Sequence, residues 1–112
     1  MDEVMKMSIL YSARPDKKDP AVLCIDEENE KVTVNGEACE LTHQEYCLLC
    51  CLAKAQDRIL SRDELLKTAW GYLSPGMTRT VDVHVQRLRR KLGSTSIETV
   101  YRIGYRLCVL SA

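Results

Sequence analysis

Val81, Val85, Leu88 and Leu92 recur at the i, i+4, i+7, i+11 spacing of a helix docked on a core; at about 100° per residue they share one narrow stripe. The stretch from Thr78 to Leu92, TRTVDVHVQRLRRKL, is therefore predicted as a helix with a second, polar face. Roughly opposite the stripe fall Arg79, Thr80, Val83, Gln86, Arg87 and Arg90. Upstream, two helix starts use the same grammar. Thr42-His-Gln-Glu45 is a capping box with Leu41 and Tyr46 as a hydrophobic staple, and Ser61-Arg-Asp-Glu64 repeats it with Leu60 and Leu65. The first of these helices is expected from about His43 to Ala55, its unbroken apolar stretch Tyr46 to Ala53 implying burial nearly all round. The second is expected from about Arg62 to Trp70, with Leu65, Leu66, Ala69 and Trp70 inward and Gly71 as the stop.

The remaining apolar positions alternate. Met7 to Tyr11 forms one run before a polar segment with two prolines; Ala21 to Ile25 is strand-like; Lys31 to Leu41 alternates around Asn35-Gly36, the strongest short hairpin signal because a type I′ turn needs positive φ twice. After Gly93, Ile97 to Tyr101 and Tyr105 to Val109 read as two strands joined around Arg102-Ile103-Gly104. The predicted class is α+β: an N-terminal antiparallel sheet, three helices with a turn-rich loop Gly71 to Met77 before the third, and a closing β-hairpin. That is the order of a winged helix-turn-helix. Residues 1–20 read as a tail or linker holding at most an edge strand, and residues 21–112 as the domain.

Charge changes the picture more than composition does. The 112 residues carry 16 basic and 16 acidic side chains, yet residues 1–56 hold 6 basic against 11 acidic and residues 57–112 hold 10 against 5. A polarised domain presents a positive field to phosphates while remaining neutral overall. The absence of an apolar run of about 18 residues and of a signal-peptide start gives the expectation of a soluble, cytoplasmic chain with no membrane partner. Six cysteines (Cys24, Cys39, Cys47, Cys50, Cys51, Cys108) sit in apolar settings, so buried free thiols are expected rather than disulfides. Zinc at His43, Cys47 and Cys50 or Cys51 is the sharper alternative, but thiolate charge fits poorly among Leu48, Leu49 and Leu52. Redox sensing would need accessible thiols of depressed pKa. No metal or cofactor is expected, and no enzyme site: the chain shows no Gly-rich phosphate loop, no paired carboxylates on one face and no nucleophile with a base.

The polar face of the third helix carries the candidate chemistry. Arginines offer cations to phosphates, Arg and Gln offer donors and acceptors to base edges, and Val83 offers a methyl to thymine; a solvated basic face is the plain alternative. Asp82 either accepts from a cytosine amino group or holds Arg89 or Gln86 in place. His84 is either a phosphate-side hydrogen bonder or a satisfied boundary histidine. Lys91 and Arg106 add only field.

The segments ELTHQEYCLL, ILSRDELLKTAWGY, TRTVDVHVQRLRRKLG and TVYRIGYRL closely resemble the DNA-binding effector domain of OmpR/PhoB-type response regulators, in matching order over roughly Ala21 to Leu110. The resemblance implies a third helix in the major groove, a wing at the adjacent minor groove, and a loop facing RNA polymerase. By position it makes Arg79, Thr80, Val83, His84, Arg87 and Arg89 DNA contacts, with Thr99 near a phosphate at the wing base. It makes Gly71, Tyr72, Leu73, Ser74, Pro75, Gly76 and Met77 the polymerase-facing loop, for which a plain connector is the alternative.

Two departures stand out. Gln86 replaces a usual Arg, exchanging a phosphate contact for an amide able to pair with adenine. In the wing, where relatives commonly read Val-Arg-Gly-x-Gly-Tyr, this chain has Val100-Tyr101-Arg102-Ile103-Gly104-Tyr105, so the cation has moved one residue along. Arg102 is thus the expected DNA contact of the wing, although strand alternation would put it on the opposite side unless the turn rearranges. The expected function is sequence-specific binding of double-stranded promoter DNA by a bacterial transcription regulator. Thr80, Val83, Arg87 and Gln86 would read bases while Arg79, His84, Arg89 and Arg90 hold phosphates. The expected partners are direct-repeat DNA, RNA polymerase, a second copy on DNA and an N-terminal receiver domain. The alternative is a winged-helix protein-interaction module that reads no DNA sequence.

Overall fold

A computed structural model describes residues 6–13, 20–71 and 76–110. Four strands, β1 (Lys6–Tyr11), β2 (Ala21–Asp26), β3 (Lys31–Val34) and β4 (Glu37–Ala38), form one antiparallel sheet in sequence order. Asn35 and Gly36 adopt φ of +52° and +84°, so the hairpin between β3 and β4 turns as the Asn-Gly pair predicts. The inward residues of this sheet, among them Ile9, Tyr11, Leu23, Ile25 and Val32, are buried, as strand alternation requires. Tyr11 is fully buried, which makes β1 part of the core rather than a loose edge; its hydroxyl donates to the Leu92 carbonyl at 2.6 Å, and burial lifts its pKa to about 12.

Three helices follow: α1 (His43–Ala55); α2, which begins as Arg62–Leu65 and continues as a π-helical turn, Leu66–Trp70; and α3 (Arg79–Leu92). Both capping boxes form. Thr42 Oγ1 accepts the Glu45 N–H while Glu45 Oε1 accepts the Thr42 N–H, and Ser61 and Glu64 repeat the exchange. Gly71 closes α2 in the left-handed conformation at φ +82°. The stripe Val81, Val85, Leu88 and Leu92 is buried in full, packed with Leu48, Leu49, Leu52, Leu65 and Leu66; each such side chain contributes about 1.5–3 kcal/mol by leaving water.

The closing hairpin pairs β5 (Ile97–Val100) with β6 (Gly104–Leu107) around a turn at Tyr101 to Ile103. It is anchored on both sides. Leu60 exchanges backbone hydrogen bonds with Tyr105, both at 2.9 Å, while Ser12 donates to Cys108 and Leu110 to Leu10, lacing the hairpin's exit to β1. Gly104 permits this closeness: a Cβ there would lie 1.9 Å from the Leu60 carbonyl oxygen.

Three expectations from the sequence need correcting. Helix α1 is not buried all round. Leu48, Leu49, Leu52 and Ala53 are inside, but Cys47, Cys50 and Cys51 are only half-buried and line an open pocket of about 520 Å³ against Glu27, Leu60 and Thr68. All six thiols are free and partly exposed; for the three on α1, neighbours cover only one side of an apolar helix. Trp70 is half-buried, set edge-on to the His84 ring at 5.0 Å rather than closing the core. No helix among the described residues is long and apolar enough to cross a membrane.

Candidate nucleic-acid interface

With its apolar stripe docked, α3 turns Arg79, Val83, Gln86, Arg87 and Arg90 outward as exposed side chains, with Thr80 half-exposed beside them. Val83 is 42% exposed, its methyls facing solvent. This is one continuous face of cations, an amide, a hydroxyl and a methyl group. Asp82 is the sole acid among residues 79–92, and its charge is neutralised locally.

The remaining predicted residues are held more tightly. His84 Nδ1 lies 2.8 Å from the Thr80 carbonyl and so must carry the proton and donate, while its half-buried ring meets Trp70 edge-on. Arg89 turns toward the hairpin. Its Nε donates to the Ile97 carbonyl at 2.9 Å and Nη2 to Thr99 Oγ1 at 2.6 Å, and the guanidinium lies 5.8 Å from the Tyr105 ring centroid. Arg89 and Thr99, separate candidates in the sequence, form a single tie between α3 and β5. Arg102 is exposed at the hairpin turn. Because Tyr101, Arg102 and Ile103 belong to the turn and not to a strand, strand alternation does not set the side on which Arg102 emerges. Of the loop residues, Gly71, Gly76 and Met77 are exposed, and Tyr72, Leu73, Ser74 and Pro75 lie outside the described residues.

Four polar contacts that the sequence hid surround this face. Asp82 holds neither Arg89 nor Gln86; Arg62 Nε donates to its Oδ1 at 2.8 Å and the Tyr105 hydroxyl donates to the same oxygen at 2.5 Å. One carboxylate thereby joins α2, α3 and β6. Burial raises the pKa of Tyr105, and its bond to Asp82 adds to the rise. Lys91 is not merely a source of field, since Nζ donates to Glu45 Oε1 at 2.5 Å and fastens the end of α3 to the start of α1. Glu45 is fully buried; burial alone would raise its pKa, but bonds from Lys91 and Thr42 and the ammonium charge outweigh it and hold the carboxyl below its ordinary value. Arg106 pairs with Glu98 across the hairpin. The sequence signal for Glu45 was its place in the capping box, which showed one of its partners and not the other.

No group of three His, Cys, Asp or Glu side chains among the described residues is placed to hold a metal ion. Burial raises the pKa of Cys39, Cys47, Cys50 and Cys108 and brings Cys51 to about 11, so these sulfurs stay protonated.

Comparison with known proteins matches residues 36–107 to the family described as "Transcriptional regulatory protein, C terminal". The transcriptional regulatory protein VxrB of Vibrio cholerae is 46% identical over 85 residues, covering 76% of this chain and 35% of VxrB. ResD of Bacillus subtilis is 44% identical over 90 residues, covering 75% of this chain and 38% of ResD. The chain thus spans little more than a third of the length of these relatives. Among solved structures, the Klebsiella pneumoniae RstA DNA-binding domain in complex with RstA box superposes with a TM-score of 0.73 at 33% identity, covering 90% of this chain and 96% of that one. The fold, the order of its motifs and the match over more than half its length place this chain in the OmpR/PhoB-type family of response-regulator DNA-binding domains, winged helices of transcription regulators.

Proposed function

We propose that this domain binds double-stranded DNA sequence-specifically, with α3 in the major groove and the hairpin at the neighbouring minor groove. The observation that carries the reading is the outward face of α3, where Arg79, Thr80, Val83, Gln86, Arg87 and Arg90 lie together opposite a fully buried stripe. A rigidly docked helix presenting that set has both phosphate anchors and base readers. Support also comes from relatives crystallised on DNA, the RstA domain and the AdeR DNA-binding domain in complex with an intercistronic region. Arg87, Val83, Thr80 and Gln86 read base edges. Arg79, Arg90 and His84 Nε2 contact phosphates, while Arg89 and Thr99 act together by fixing the wing to α3 and sharing a phosphate at its base. The domain works in the cytoplasm without enzymatic activity, as the effector part of a response regulator with a receiver domain. It binds promoter direct repeats as a homodimer and meets RNA polymerase through residues 71–77.

Selection from a random duplex pool, followed by titration at several salt concentrations, tests the core of this reading. Recovery of a defined motif is expected, with affinity falling steeply with salt, and Arg87→Ala should lose about tenfold in discrimination between cognate and random duplex. Recovery of no motif, or an unchanged cognate-to-random ratio in Arg87→Ala, would refute the role given to α3.

A further inference from the structure

Helix α1 carries a group of donor atoms that the face on α3 does not use. His43 opens the helix, and Cys47, Cys50 and Cys51 follow at spacings that keep all four side chains on one side of it. The three thiols line the open pocket of about 520 Å³ that also holds Tyr46, Leu60 and Thr68. Two of the donors already meet: Cys47 Sγ lies 3.5 Å from His43 Nε2. On the far side of the ring, the Glu30 carboxylate lies 3.5 Å from Nδ1. A carboxylate there draws the ring proton to Nδ1 and leaves the Nε2 lone pair toward the thiol, which is how a metal-ligating histidine is oriented. The Cys47 S–H then donates to Nε2, so a single proton lies between sulfur and nitrogen.

A cation in place of that proton needs little rearrangement. With metal–sulfur and metal–nitrogen bonds of about 2.3 Å and about 2.0 Å, a linear bridge spans about 4.3 Å. The His43 side chain is 69% exposed and free to swing outward by the missing fraction of an ångström. Donor number and charge then select the ion. No three His, Cys, Asp or Glu side chains among the described residues converge on a common point, whereas zinc takes three or four protein ligands. A soft, closed-shell monovalent ion prefers sulfur and is satisfied by two ligands. With one thiolate and one neutral imidazole it forms a complex of zero net charge, which a half-buried seat tolerates better than a bare thiolate. A second thiolate from Cys50 or Cys51 would leave a net negative charge there. The remaining charged pair at this side of α1, Glu27 with Lys54, is closed on itself at 3.0 Å.

We propose that His43 Nε2 and Cys47 Sγ form a two-ligand site for copper(I) at the start of α1. Binding forms one sulfur–copper and one nitrogen–copper bond and releases the Cys47 proton to solvent, with no change in the oxidation state of metal or sulfur. The site uses no residue of the α3 face, so it stands or falls independently of the DNA-binding reading.

Anaerobic titration of the reduced chain into the coloured copper(I)–bicinchoninate complex tests this, because bleaching counts the ions withdrawn. The parent should withdraw one tightly held ion and release one proton with it. His43→Ala and Cys47→Ser should each weaken that transfer at least about tenfold, the least that losing even an outlying partner of a metal site costs. Cys50→Ser and Cys51→Ser should match the parent. Silver(I), added to the parent as an air-stable surrogate, should move the nitrogen NMR resonance of His43 Nε2 and leave Nδ1 nearly in place, while zinc at the same concentration should move neither. Parent-like transfer in His43→Ala means ordinary thiol binding and overturns the proposal. So does a loss in Cys50→Ser or Cys51→Ser equal to that in Cys47→Ser, which would mark a site built from thiols alone. An unmoved Nε2 resonance overturns it as well, and because that measurement uses the parent, it decides the matter even where a variant fails to fold.

Discussion

Removing the Tyr105 hydroxyl tests whether Asp82 is the junction that sets α3 against the wing. Tyr105→Phe keeps a buried ring in place and deletes one hydrogen bond to a carboxylate, 2.5 Å long and part-buried. Bonds to charged groups contribute about 1.5–3 kcal/mol, and because Asp82 keeps Arg62 and some water, the loss should fall near the lower end, about 1.5 kcal/mol. Asp82→Ala also removes the Arg62 pair; with side chains 53% and 34% exposed, that pair adds less than about 1 kcal/mol. The expected total for Asp82→Ala is about 2 kcal/mol, a large part of the stability of a small domain. Urea unfolding followed by the fluorescence of the single tryptophan, Trp70, gives both values. In the double-mutant cycle the two changes should be coupled by about 1.5 kcal/mol, the bond they share, with m unchanged. Additivity within about 0.3 kcal/mol would refute the shared-carboxylate junction.

Three further outcomes follow from the polar and steric contacts. The Glu45–Lys91 pair should respond asymmetrically: Lys91→Met strands a fully buried carboxylate and should cost about 3 kcal/mol, whereas Glu45→Gln leaves a half-solvated ammonium and should cost about 1 kcal/mol in the same urea assay. Because Glu45 is held below its ordinary pKa, its contribution is present above the unfolded carboxyl pKa and is lost as pH falls through the folded one, so acid melting curves of Glu45→Gln should be flatter than the parent's. Gly104→Ala should cost more than about 3 kcal/mol, since its Cβ meets the Leu60 carbonyl at 1.9 Å, while Gly36→Ala, in open space at φ +84°, should cost only about 1–2 kcal/mol; similar losses of melting temperature in the two would contradict this.

Local rules account for most of the fold. Thr42, Ser61 and Asn35-Gly36 each act through atoms a few residues away, so the caps and the hairpin follow from short-range chemistry. The α3 stripe followed from period alone. What failed was anything that depended on how much surface a neighbour covers: Trp70 and the cysteines of α1 are apolar enough for the core, yet partners reach only one side of each. The candidate face on α3 was legible for the same reason as its buried stripe, since the two are opposite sides of one helix.

Partnership at long range was not legible. Asp82 has neighbours on its own helix within sight of the sequence, Gln86 at i+4 and Arg89 at i+7, whereas Arg62 and Tyr105 lie 20 and 23 residues away. Lys91 and Glu45 are 46 apart. Arg102 illustrates the division well. Its displacement from the usual wing position is written in the sequence, but its left-handed seat, its stacking on Tyr101 and its place beside the start of α3 are decided by closure of the hairpin against Leu60 and β1. The sequence determined the elements, their caps and which side of α3 faces water, because those depend on periodicity and local hydrogen bonding. Only the tertiary structure decided which charged groups hold α3 and the wing in register, because those contacts require the chain to bring distant residues within about 3 Å of one another.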